Sequence, residues 1–212
     1  MRSPQRIGFP TIILLFVCLL WSSSASAAAI DLTRIDFEYD SSPWTLGWKF
    51  SVTAPTSIEA LGVYDSNQDG LAGPADVGLW LASGGSPLVQ TTVAAGTTAA
   101  LDGYFRFTPV TSTPLTPGVE YLVGSHLDGG DATSLFDGNG IVDPRITVID
   151  ARYSSFGSGF GFPDQTDPGT DGAAYLGGNF QLTPVPLPAA AWLFGSALVG
   201  LGSLTRVRLQ KG

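Results

Sequence analysis

The stretch Leu46-Gly47-Trp48-Lys49-Phe50-Ser51-Val52 decides the fold class. Large apolar side chains stand at every second position with small or polar ones between them. That is the period of an extended strand with one face turned inward, not the 3.6-residue period of a helix. Working outward, strand-like segments recur at residues 30–39, 45–52, 57–64, 77–81, 88–94, 104–110, 120–126, 146–153 and 179–182. Clusters of Gly, Pro, Asp and Ser separate them, and these residues favour turns. In residues 57–64 the apolar phase slips between Ala60 and Leu61, which predicts a bulge. The expectation is an all-β domain, an antiparallel β-sandwich with jelly-roll or Greek-key connections. Its core is expected to hold Trp48, Phe50, Val63, Trp80, Phe105, Phe107, Leu122 and Val148.

Charge supports the same reading. All 18 acidic residues lie between the two ends of the chain, against only Arg34, Lys49, Arg106, Arg145 and Arg152, so this middle part carries a formal charge of −13. Such a surface repels a polyanion, and nucleic acid is not expected as a partner. Only Glu38, Glu59 and Glu120 are Glu and the other acids are Asp, a bias toward turns over helices. Residues 128–143 and 154–178 are long, Gly- and Asp-rich and poor in strand signals, the second with Phe156, Phe160 and Phe162 interleaved. Loops of that length carry function or move.

The two ends read differently. Arg2 and Arg6 precede an apolar run over residues 12–21, and Ala25-Ser26-Ala27 follows. A basic start, a short apolar segment and an Ala-x-Ala site describe a secretory signal peptide, residues 1–27, cut after Ala27. Cys18, the only cysteine, lies inside it, and the preceding Val17 does not suit a lipoprotein site. The exported domain, residues 28–183, therefore has neither disulfide nor thiolate chemistry. At the other end, residues 184–212 form a three-part tail of prolines, an apolar run over residues 189–204 and the basic stop Arg206, Arg208 and Lys211. Counting residues 185–205 at 1.5 Å each gives about 31 Å, enough for a transmembrane helix to cross one bilayer core.

Val185-Pro186-Leu187-Pro188-Ala189, followed by Ala190-Ala191-Trp192-Leu193-Phe194-Gly195 and a basic end, resembles the PEP-CTERM sorting signal that exosortases recognise in Gram-negative bacteria. The name-giving tripeptide is Pro-Glu-Pro, and Leu187 stands here in place of the Glu. The resemblance implies an exosortase as partner and a membrane anchor before processing. It also implies a final place at the cell surface or in the extracellular matrix. Residues 60–65, 69–71, 77–80 and 117–124 are similar to β-sandwich domains often carried by such proteins.

One loop carries metal-binding spacing. Asp65, Asn67 and Asp69 alternate ahead of Gly70, with Leu71 seventh and Asp76 twelfth, the spacing of a calcium loop whose seventh ligand is a carbonyl. It also resembles one half of a dockerin repeat, without a second copy. A polar turn between two strands would use the same residue types. Calcium is thus a candidate cofactor and no other is expected.

Catalytic machinery is not apparent in the sequence. His126 stands alone, and its neighbours Ser125 and Asp128 form no triad by sequence proximity. No phosphate-cradling Gly-x-x-x-x-Gly-Lys loop occurs. The expectation is an exported, non-enzymatic surface or matrix protein with a structural or adhesive role in an exopolysaccharide-rich envelope. The alternative is a carbohydrate-binding module that presents Trp44, Tyr104 or Tyr153 to polysaccharide. An enzyme would need His126 or a close carboxylate pair inside a cleft.

Overall fold

Leu46, Trp48, Phe50 and Val52 all turn inward from one strand, β4 (Leu46–Val52), and each is buried. This strand belongs to a computed structural model that describes residues 27–40, 43–127, 131–155 and 159–183. The described residues fall within one compact unit, Ser26–Thr183, and form sixteen strands and no helix. Before β4 come β1 (Ala27–Ala28), β2 (Ile30–Leu32) and β3 (Glu38–Asp40). After it come β5 (Thr56–Tyr64), β6 (Ala75–Leu81), β7 (Val89–Val93), β8 (Ala100–Asp102), β9 (Phe105–Leu115) and β10 (Glu120–Leu127). The chain continues through β11 (Ala132–Phe136), β12 (Gly140–Val142), β13 (Ile146–Tyr153), β14 (Gln165–Thr166), β15 (Ala174–Leu176) and β16 (Gly178–Leu182).

Two sheets carry most of the structure. One runs β1-β16-β5-β9-β8 and the other β14-β13-β4-β10-β6-β7, with small sheets β15-β11-β3 and β12-β2 beside them. Every ladder among the described residues is antiparallel. Because β4, β5 and β6 fall in alternate large sheets, the chain crosses from one to the other at each turn and both contribute to one apolar cluster. The arrangement is all-β and antiparallel, consistent with a β-sandwich.

An aromatic stack forms the centre of that cluster. Trp48 lies 5.5 Å from Phe180 and 5.0 Å from Phe50, and Phe50 lies 4.8 Å from Phe180 and 5.7 Å from Tyr121. Each such pair contributes about 0.5–1.5 kcal/mol beyond its area burial. The indole does not leave its donor stranded, since Trp48 Nε1 donates to the Gly178 carbonyl at 2.9 Å.

All the expected core residues except Val148 are buried, and Val148 packs half-buried against the cluster. Trp80 and Leu122, however, face the other side of the six-stranded sheet, in register with each other and with Lys49. There Trp80 packs on Phe160 at 5.5 Å and Phe162 at 6.3 Å. The approach is possible because Gly47, Gly124 and Gly78 stand in register on β4, β10 and β6 and form a trough without side chains. A Cβ on Gly78 would lie 3.0 Å from Phe160, and one on Gly124 would lie 3.2 Å from Pro163. Thr45 pins the covering segment, donating through Oγ1 to the Gly159 carbonyl at 2.9 Å and accepting from Gly161 N at 3.0 Å. Part of the loop at residues 154–178 is thus a second layer of core.

The bulge in β5 falls one step earlier than the sequence phase suggests. Against β16 the pairing skips from Ile58 to Ala60, so Glu59 is the extra residue there and turns outward. Against β9 the extra length is on β9, with Val110, Thr111 and Ser112 between the partners Pro109 and Thr113. Beyond Glu59, Ala60 to Tyr64 are buried on both faces, which explains why alternation fails there.

Candidate functional site

Asp65 closes β5 with its backbone N donating to Tyr104 O at 2.9 Å, and the residue is 1% exposed. Residues 65–70 turn tightly: Gln68 N donates to Asp65 O at 3.2 Å, Gln68 holds φ +59° and Gly70 holds φ +115°. The turn closes around a side chain from β9. Arg106 donates through Nε to Asp65 Oδ2 at 2.6 Å, through Nη1 to Ala99 O at 3.1 Å and through Nη2 to Gln68 O at 3.3 Å. Gly70 N donates to the same carboxylate at 3.1 Å. A carboxylate and carbonyl oxygens are the donor set a hard cation takes, and here a guanidinium takes it.

The remaining members of the candidate calcium set go elsewhere. Asn67 and Asp69 are exposed, and the Leu71 carbonyl accepts from Gly96 N at 2.8 Å. Asp76 sits in β6, in the other large sheet, opposite His126, with its Oδ1 accepting from Thr92 Oγ1 at 2.6 Å. Among the described residues no group of three or more His, Cys, Asp or Glu side chains is placed to hold a metal. Asp65, Asn67, Asp69, Leu71 and Asp76 therefore do not form a cage. The spacing was legible in sequence, but the arginine that completes the loop lies forty-one residues from Asp65 in the chain. Its only signal was a lone cation between Phe105 and Phe107.

Ser125 and His126 are adjacent on β10, so their side chains leave opposite faces: Ser125 is buried in the interior and His126 is half-buried. His126 Nδ1 lies 3.0 Å from the Trp44 carbonyl. Asp128 and Phe156 lie outside the described residues, as do the signal peptide before Ala27, the sorting residues Val185, Pro186, Leu187, Pro188 and Ala189, and the basic stop.

A second ion pair holds the end of the last strand. Arg145 donates through Nε and Nη2 to Asp143 at 2.9 and 2.8 Å, and through Nη1 to the Thr183 carbonyl at 2.8 Å and Thr56 Oγ1 at 3.1 Å. Hydrogen bonds from the guanidinium hold the Asp143 carboxyl below its usual range despite burial. Thr183 N adds a bond to Ser57 O at 2.8 Å.

Of the expected sugar-facing aromatics, Trp44, Tyr104 and Tyr153 are each half-buried, and Tyr104 stacks 6.3 Å from Tyr64. Sequence reading missed Tyr39 and Tyr175. Tyr39 is 40% exposed and meets Tyr175 edge to face at 5.9 Å, and the Tyr175 hydroxyl donates to Asp167. Burial first, then that carboxylate, pushes the Tyr175 phenol well above its ordinary range.

The fold and these sites define an all-β module in which ion-paired arginines close a loop and hold the last strand. Residues 32–175 match the family described as Domain of unknown function (DUF4082), and the chain belongs to that family. The matched stretch includes the Asp65–Arg106 pair, residues 128–143 and all but the last three residues of 154–178. No curated protein matches the chain.

Proposed function

We propose that this protein is an exported, non-catalytic surface or matrix protein, anchored by its tail until an exosortase processes it near residues 185–189. In this reading the domain is a jelly-roll or Greek-key β-sandwich between a signal helix and a transmembrane helix. It has a structural or adhesive role in an exopolysaccharide-rich envelope. The observation that carries the reading is the ladder between β1 and β16. Ala27 pairs with Leu182 and Ala28 with Gln181, so the two ends of the folded domain meet on one edge. The start of the exported chain, Ala28, and the point where the tail leaves the domain thus lie on the same side. Intact-mass measurement of the protein recovered from its own cells tests the reading. A mass that begins at Ala28 and lacks the apolar tail is expected, and a mass that retains the tail overturns the sorting step.

The pair Tyr39 and Tyr175 supports a second reading, binding of polysaccharide by stacking on exposed rings. Retention on an insoluble polysaccharide, lost in Tyr39→Ala, is the result that would favour it.

A further inference from the structure

We infer that the end of the domain bearing Thr183 rests against the lipid headgroup surface for as long as the tail stays attached. The inference rests on the anchored reading above and specifies which face meets the membrane. Its first support is tether length. Only residues 184–188 separate the clamped Thr183 from the apolar run that begins at Ala189, and the six steps from Thr183 to Ala189 span at most about 22 Å even fully extended. About 5–7 Å of that distance is headgroup layer. Thr183 cannot drift, because its carbonyl, amide and hydroxyl are bonded to Arg145, Ser57 and Thr56.

The second support is charge. The turns grouped around Thr183 are residues 53–55, Thr-Ala-Pro, and residues 116–118, Thr-Pro-Gly, all exposed and uncharged. Thr53 is tied to Pro144 and Arg145, and Thr56 pairs with Leu115, so these turns share one end of the strands. The charges near them, Asp143 with Arg145 and Glu120 with Lys49, are each held in an ion pair. In a domain of formal charge −13 this is a face that phosphate headgroups do not repel. The other end of β5 carries the exposed Asn67, Gln68 and Asp69.

The exported form, residues 28–212, which has no cysteine and so takes one unique label, is reconstituted into phosphatidylcholine vesicles containing a headgroup nitroxide lipid. An environment-sensitive fluorophore is placed on Ala54→Cys or, separately, on Asn67→Cys. Several-fold loss of emission at position 54 with none at position 67 is expected. Equal emission at the two positions, in protein that stays with the vesicles through alkaline carbonate, overturns the inference and leaves the anchor standing. Extraction by carbonate overturns the anchored reading, and the inference with it.

Discussion

Arg106 and Asp65 form a 2.6 Å ion pair in which both side chains are almost wholly shut off from water. Such a pair is tolerable only because its remaining donors and acceptors are met: the guanidinium by the carbonyls of Ala99 and Gln68, the carboxylate by Gly70 N. Desolvation offsets most of the attraction, so what the pair contributes is the conformation of residues 65–70 more than net stability.

Breaking this pair from either side should be expensive. Arg106→Met leaves Asp65 as an uncompensated buried charge and is expected to cost about 3–5 kcal/mol, while adding Asp65→Leu should recover much of the loss. Urea unfolding of the two single variants and the double variant measures both. A single variant within about 1 kcal/mol of the parent would show that the pair is not buried in solution.

The same pair makes a prediction about calcium. With Asp65 committed to Arg106 and Asp76 in the other sheet, millimolar calcium is expected to leave the melting temperature where chelator leaves it. Exposed Asp69→Ala should change stability by no more than about 0.5 kcal/mol. A calcium-dependent rise in the parent, abolished in Asp69→Ala, would contradict the geometry.

Asp143 predicts an acid limb of the stability curve. Its folded carboxyl lies below the unfolded value because Arg145 hydrogen-bonds the charged form. The contribution is therefore present above about pH 4 and is lost as pH falls through the lower folded value. Asp143→Asn should cost about 1.5–3 kcal/mol at pH 7 and much less at the acid end. Guanidinium unfolding across pH 2–7 would reveal a parallel offset if Asp143 were not involved.

Tyr64 predicts the alkaline limb. Burial, then its hydrogen bond to Glu38 at 2.7 Å, pushes the phenol well above its ordinary range. A raised folded value means stability is intact below about pH 10 and falls as pH rises toward the folded value. Tyr64→Phe should flatten that fall, read by circular dichroism between pH 8 and pH 12.

The glycine trough should tolerate methyl groups unequally. A Cβ on Gly47 would come within 2.1 Å of the Val123 carbonyl oxygen, which is backbone and cannot yield, whereas one on Gly124 would first meet the Thr45 methyl at 3.1 Å. Gly47→Ala is therefore expected to cost several kcal/mol and Gly124→Ala about 1 kcal/mol. Comparable midpoints in urea would mean that the two positions are packed alike.

Much of the sheet was legible locally. All nine segments with strand signals fall on observed strands, residues 30–39 dividing into β2 and β3, because half-buried strands write their period into the chain. The strands β11 and β15 were not legible, since they lie in Gly- and Asp-rich stretches and pair only with each other and with β3. The turn at residues 65–70 was also readable from Asp, Asn and Gly, but its occupant was not.

What the chain determined by itself was the all-β period, the crowding of every acid between two apolar ends and the turn chemistry of residues 65–70. Tertiary structure alone decided that Arg106 from β9 would meet Asp65 and that Phe160 would cover Trp80. It also decided that Ala27 would lie opposite Leu182. The reason is physical. Local backbone preference acts over a few residues, whereas each of these pairings closes a loop of dozens of residues and exists only when two sheets have chosen their register.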